Sequence, residues 1–165
     1  MTKRSTLRRP NQDAVVIRPA RLTDRAELLK LIRAYYRFDH IRFNASTIAP
    51  ALDKLLRSRS LGRVWIMYAG ARPAGYAVLT YNFDLEFGGI EGLVTDLFVD
   101  ARYRGRGLGR RALDVVDNYC RARGIGMVEL QVENENVEAQ AFYRKLGFKQ
   151  LSRIVMTRDV CAAKR

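Results

Sequence analysis

Apolar positions recur at two spacings along the chain, and the switch from one to the other marks out its elements. Residues 14–20, Ala-Val-Val-Ile-Arg-Pro-Ala, read as a first strand. Thr23 or Asp24 then offers a helix cap, and Glu27 stands three after Asp24 in the capping-box position. Leu28, Leu31, Ile32 and Tyr35 give the helix one apolar face. Residues 47–59 read as a second helix that buries Ile48, Leu52, Leu55 and Leu56. Residues 62–69 and 74–83 are strands, split by the turn Gly70-Ala-Arg-Pro73. Residues 90–99 form a fourth strand. The next helix starts at Leu108, buries Ala112, Val115, Val116, Tyr119 and Cys120, and ends at Gly124. Residues 128–133 alternate as a half-exposed strand, 137–146 form a short helix stopped by Gly147, and 151–160 close the sheet. The order β-α-α-β-β-β-α-β-α-β predicts the α/β class, a mixed sheet with helices on both faces.

Composition narrows the class. A chain of 165 residues has the length of one domain, and a domain of that size buries about 70% of its unfolded surface without staples. Residues 1–13 read as a disordered basic tail and 14–165 as the domain. No apolar run approaches the roughly 20 residues of a membrane span. The cysteines, Cys120 and Cys161, give no disulfide framework and suggest a reducing, cytoplasmic setting. A lone histidine, His40, and two distant cysteines argue against a metal site with the usual ligands. Thirty basic against 17 acidic residues leave a net charge of +13, which favours an anionic cofactor or nucleic acid.

The richest stretch is Tyr103-Arg-Gly105-Arg-Gly107-Leu-Gly109-Arg-Arg111. It follows the strand-like run Leu97-Phe98-Val99 and opens a helix. Glycine removes side chains where a backbone must turn tightly and approach a ligand. A helix start adds unpaired N–H groups and the positive end of the dipole. Strand, glycine loop and helix together make an anion cradle suited to a phosphate or diphosphate. Arg104, Arg106, Arg110 and Arg111 surround it with cationic donors. The spacing is neither the P-loop GxxxxGK[ST] nor the dinucleotide GxGxxG, so a nucleotide kinase or dinucleotide enzyme is poorly supported.

Arg104-x-x-Gly107-x-Gly109 resembles the coenzyme A diphosphate loop of GNAT-type N-acetyltransferases. A second block, Asn136-Val-Glu-Ala139-Gln-Ala-Phe-Tyr143-Arg-Lys-Leu-Gly147-Phe148, is similar to the last conserved block of that superfamily. The resemblance covers roughly 14–160, with specific motifs only in 94–148. It implies a mostly antiparallel sheet of six or seven strands, splayed between the fourth and fifth. It also implies acetyl-CoA as cosubstrate and no metal. The pantetheine arm would lie along Leu97, Phe98 and Val99. Arg104, Gly105, Arg106, Gly107, Leu108, Gly109 and Arg110 would take the diphosphate. Asn136 would cap its helix or bond the cofactor. Tyr143 matches the family tyrosine that protonates the departing thiolate, and a phenol of pKa near 10 suits that step.

The general base is less constrained. Where some family members carry Glu on the fifth strand this chain has Gln131, which cannot take a proton. Polyamine-type members carry Glu-Asp on the fourth strand; here the pair is Thr95-Asp96. Asp96 is the leading base or amine anchor, with Glu91, Glu133 or a water relay as alternatives. Tyr35, Tyr36, Asp39, His40, Tyr81, Asp84, Glu86 and Glu91 fall in the region that sets the acceptor. Acids on an otherwise basic chain point to a cationic amine, small or on a protein. The partners expected are therefore acetyl-CoA and an amine acceptor, with a homodimer possible. The competing expectation is a non-catalytic acyl-CoA-binding or basic nucleic-acid-binding module, although no RNP-type motif or helix-turn-helix supports the latter.

Overall fold

Five strands pair in chain order in the computed structural model, which describes residues 14–161. They are β1 (Val15–Pro19), β2 (Gly62–Ala69), β3 (Arg72–Asp84), β4 (Gly89–Val99) and β5 (Val128–Leu130). The first three pairings are antiparallel and β4 runs parallel to β5. The helices are α1 (Arg25–Phe38), α2 (Ala45–Arg57), α3 (Leu108–Arg121) and α4 (Val137–Lys145). The chain divides into two compact units, Met1–Gln131 and Val132–Arg165; the second holds α4.

The strand alternation decides which helix covers which face. Tyr76 and Val78 of β3 join Val64, Ile66 and Phe98 in one apolar cluster with Leu28, Leu31 and Ile32 of α1 and Leu52 of α2. The intervening residues face α3: a side chain at Gly92 would meet Leu79 Cδ1 and Cys120 Sγ. On the α3 side Trp65 meets the Tyr119 ring edge-on at 5.2 Å, and the Tyr81 and Tyr119 hydroxyls lie 2.8 Å apart. Helices thus cover both faces, as the element order predicts. Leu108, Ala112, Leu113, Val116 and Cys120 are buried at 3-4 spacing, which is why α3 lies flat on the sheet.

The sequence reading and the structure part at three places. Asp24 does not cap α1. Its carboxylate turns back to accept from the Arg21 N–H at 2.7 Å and from both terminal nitrogens of Arg18 at 2.8 and 2.7 Å. Glu27 pairs with Lys30 instead of closing a capping box. The second helix starts earlier than expected because Asn44 accepts from the Ser46 N–H and caps it. The sheet has five strands rather than six or seven, because 151–160 form no ladder and 131–133 leave β5. Ile154 and Met156 in that closing segment are exposed. The expected tail, 1–13, lies outside the described residues.

Candidate active site

A single extra residue in β4 sets the orientation of the site. Val94 pairs with Leu79 and Asp96 with the adjacent Val78, which leaves Thr95 as a bulge. Cross-strand partners share a face. Val94 therefore lies on the α3 side with Leu79, whereas Asp96 and Phe98 lie on the α1 side with Val78 and Tyr76. Without the bulge, even-numbered residues of β4 would all face α3. The bulge is what turns Asp96 toward α1.

There Asp96 Oδ2 accepts a hydrogen bond from the Tyr76 hydroxyl at 2.8 Å. Burial pushes the Asp96 carboxyl above its ordinary range; the Tyr76 bond pulls it down, and the charge of Asp39 pushes it further up. Tyr36, on α1, is raised by burial and by the Asp96 charge. The Tyr35 ring packs against Tyr36, Tyr76 and Phe98 at centroid distances of 5.8, 6.4 and 5.8 Å. Two carboxylates and three tyrosines thus converge from α1, β3 and β4. Such a site suits a cation, which the carboxylate charge and the ring faces both attract.

The bulge also releases the edge of β4. The ladder to β5 stops at Val94↔Leu130, but β4 continues to Val99. On the other side the Asp100 N–H donates to the Ala74 carbonyl. In an antiparallel pair the bonded residues alternate, so the N–H and C=O of Leu97 and Val99 point away from β3. They point to the side where β5 has ended. This is the splay expected between the fourth and fifth strands.

Past Val99 the chain makes a short 3-10 turn, Ala101–Tyr103, and then the glycine loop. Gly105 and Gly107 have φ of 72° and 75°, the left-handed region where glycine is favoured, and Gly107 is the N-cap of α3. A Cβ at either position would meet nothing within 4 Å, so the loop borders open space. The first turn of α3 carries no acid. Its free N–H groups and dipole are left uncompensated, and Arg110 and Arg111 add like charge. Arg106 and Arg110 are exposed and make no hydrogen bond or ion pair among the described residues. Arg111 Nη2 donates to the Val15 carbonyl at 3.2 Å. Arg104 turns elsewhere: its Nε donates to the Val99 carbonyl at 2.9 Å and its guanidinium lies over the Phe38 ring at 4.3 Å. A diphosphate fits this cradle: an open glycine backbone, unpaired helix amides and uncommitted guanidinium groups.

In the second unit Asn136 Oδ1 accepts from the Ala139 N–H at 3.1 Å, so its side chain caps α4. Gly147, at φ 93°, ends the helix, and the Phe148 N–H returns to the Tyr143 carbonyl. Tyr143 packs between Phe142 and Phe148 at 5.2 and 5.7 Å, and burial raises its pKa.

The remaining acids separate. Glu91 is 3% exposed; Asn82 donates to its Oε1 at 3.2 Å, and its Oε2 has no hydrogen-bond partner among the described residues. Glu133 is exposed, and Asp84 accepts the Glu86 N–H in an exposed turn. Tyr81 lies on the α3 side, away from Asp96. His40 is exposed at the end of α1. Two residues the sequence reading passed over, Tyr76 and Phe38, make direct contacts with Asp96 and Arg104. Tyr76 is signalled only by its place opposite the fourth strand, and Phe38 by nothing local. Among the described residues no cluster of three metal-ligating side chains occurs, and no helix is long and apolar enough to cross a membrane.

The sequence model of the Acetyltransferase (GNAT) family matches residues 26–148, and the chain belongs to that family. An uncharacterised N-acetyltransferase of Methanocaldococcus jannaschii is 29% identical over 136 residues, 81% of this chain and 60% of that protein. The N-alpha-acetyltransferase RimI of Mycobacterium tuberculosis is 36% identical over 93 residues, 51% of this chain and 52% of that protein. This chain therefore spans only part of the length of these relatives. Among solved structures, an aminoglycoside N-acetyltransferase in complex with coenzyme A superposes with a TM-score of 0.80 at 18% identity, covering 92% of this chain and 99% of that one. That likeness extends the GNAT fold over nearly the whole chain.

Proposed function

We propose that this chain moves an acetyl group from acetyl-CoA to a primary amine on a cationic small molecule or a protein. The observation that carries the reading is continuous in the chain. A strand edge freed at Thr95 runs through Leu97 and Val99 directly into a glycine cradle at a helix N-terminus. Leu97, through its N–H and C=O, and Val99, through its N–H, would pair with the pantetheine arm; the Val99 carbonyl is taken by Arg104. The amides and glycines from Gly105 to Arg110 would hold the diphosphate, with Arg106 and Arg110 as its exposed cationic donors. Arg104 and Leu108 belong to the same loop, and Asn136 caps the helix that carries Tyr143. When bound, acetyl-CoA supplies an acyl group activated as a thioester.

The chain's own groups would then handle the protons. Asp96 would seat the ammonium and accept its proton at Oδ1, the oxygen left free by Tyr76. Tyr143, kept protonated by its burial, would hold the proton destined for the thiolate sulfur. Relatives that act on protein α-amines support an amine acceptor.

An acceptor panel tests this reading: polyamines, lysine, aminoglycosides and peptides with free N-termini, assayed with acetyl-CoA by thiol release. Turnover with at least one amine is expected, and Tyr143→Phe is expected to lower kcat about a hundredfold with coenzyme A affinity retained. Release from no amine, with nucleic-acid affinity that falls steeply with salt, would favour the basic binding module that the +13 charge allows.

A further inference from the structure

Arg104 belongs to the cradle by sequence, yet its guanidinium is committed elsewhere. Its Nε donates at 2.9 Å to the carbonyl of Val99, one of the backbone groups aimed at the opened side of β4. Its planar head lies 4.3 Å from the ring centroid of Phe38, the last residue of α1, and 6.0 Å from that of Phe98. One side chain thus joins the C-terminal end of α1 to the C-terminal end of β4. Phe38 leads directly into Asp39, whose charge acts on Asp96. Phe38 is itself 52% exposed.

We propose that Arg104 is a positioning residue which ties the amine-binding end of α1 to the cofactor-pairing end of β4, and thereby sets Asp39 against Asp96. The proposal rests on the reading of the site given above. A guanidinium suits the task because its edge donates while its face stacks. A lysine ammonium is a point charge and cannot do both in one geometry. The aromatic face of Phe38 matters for its electrons, beyond its bulk. The phosphate is left to the backbone amides, Arg106 and Arg110.

Hydrogen exchange over residues 36–43 and calorimetry with coenzyme A, both on the full chain, test this. Arg104→Ala, Arg104→Lys and Phe38→Leu are each expected to speed amide exchange there by about two- to fivefold. The double variant Arg104→Ala/Phe38→Leu should be no faster than Arg104→Ala alone, because the stacking that Phe38→Leu removes is already lost there. Phe38→Trp, which keeps an aromatic face under the guanidinium, should exchange at the native rate. Coenzyme A affinity should stay within about threefold in Arg104→Ala, the change expected if no phosphate contact is lost. Two results would overturn the proposal: Phe38→Leu exchanging like the native chain, or Arg104→Ala losing coenzyme A tenfold or more while Phe38→Leu does not. Native protein that binds no coenzyme A would count against the proposed function alone, since the exchange comparison is made on the free chain.

Discussion

Tyr76 and Asp96 face each other across β3 and β4, with the phenol donating to Oδ2 at 2.8 Å. The bond opposes burial, the larger influence on Asp96, and so helps keep a half-buried carboxylate charged. In Tyr76→Phe that help is gone, and the Asp96 pKa rises further. If the charged form seats the amine, the acid limb of the kcat/KM profile moves to higher pH. The measurement is a pH–rate profile for both proteins with one panel amine. A limb that stays in place removes Asp96 from the role.

Gly107 separates folding from cofactor binding. Its φ of 75° penalises any side chain, while the space beside it is open. Gly107→Ala is expected to cost about 1–2 kcal/mol of stability through backbone strain alone. Gly107→Glu pays the same strain but puts negative charge at the start of a helix whose first turn has no acid, which returns about 0.3–1 kcal/mol. Glu should thus fold at least as stably as Ala yet bind coenzyme A far more weakly, since its charge faces the diphosphate. Thermal melts paired with calorimetry decide it. Equal affinity in the two variants would place the diphosphate elsewhere.

Much of this site was legible in the sequence because its signals are local. The glycines at 105 and 107 mark positive φ, and the position of Leu97 to Val99 just before them marks the strand that feeds the loop. The chain order likewise fixed the helices on both faces. The bulge at Thr95 was not legible, since nothing in Val-Thr-Asp declares that two residues oppose one; it depends on the register with β3. Proximity in sequence groups Tyr81 with the acceptor acids, but strand alternation sends it to the α3 side. Thr23 or Asp24 offers the cap by sequence, with Asp24 at the right spacing to Glu27, but a bidentate arginine on β1 outcompetes that local role for Asp24.

The Arg18–Asp24 pair makes the fold sensitive to acid. The Arg18 hydrogen bond, chiefly, holds the Asp24 carboxyl down at about 2, against the cost of burial. A carboxyl depressed in the folded state stabilises above its unfolded pKa, near 3.9, and that share is lost as pH falls toward about 2. Asp96 has the opposite sign: its raised pKa means its contribution weakens as pH climbs past the unfolded value. Asp24→Asn should therefore lower stability by about 2 kcal/mol at pH 7 and flatten the acid limb between about pH 4 and 2. Denaturant titrations at several pH values provide the check, and an unchanged acid limb would refute the assignment.

His40 is the one described non-glycine residue with positive φ, at 55°. It stands just past the α1 C-cap, Asp39, and the following Ile41 N–H closes back on the Tyr36 carbonyl at 2.8 Å. That is the position where helices ordinarily place glycine, because a Cβ is penalised there. The side chain is exposed and makes no hydrogen bond among the described residues. His40→Gly should release the strain and, after the extra freedom of the unfolded glycine chain is subtracted, gain about 0.5–1 kcal/mol. For a chain of this length that is a rise in Tm of about 1–4 °C. His40→Ala keeps a Cβ in the left-handed region and should gain nothing. Turnover of the glycine variant should remain within about twofold of native, because the exposed imidazole makes no hydrogen bond among the described residues and general bases contribute at least about a hundredfold when present. A glycine variant that melts higher but loses turnover a hundredfold would make His40, and not Asp96, the general base; one that melts lower would show that the strain is compensated by a contact of the imidazole itself.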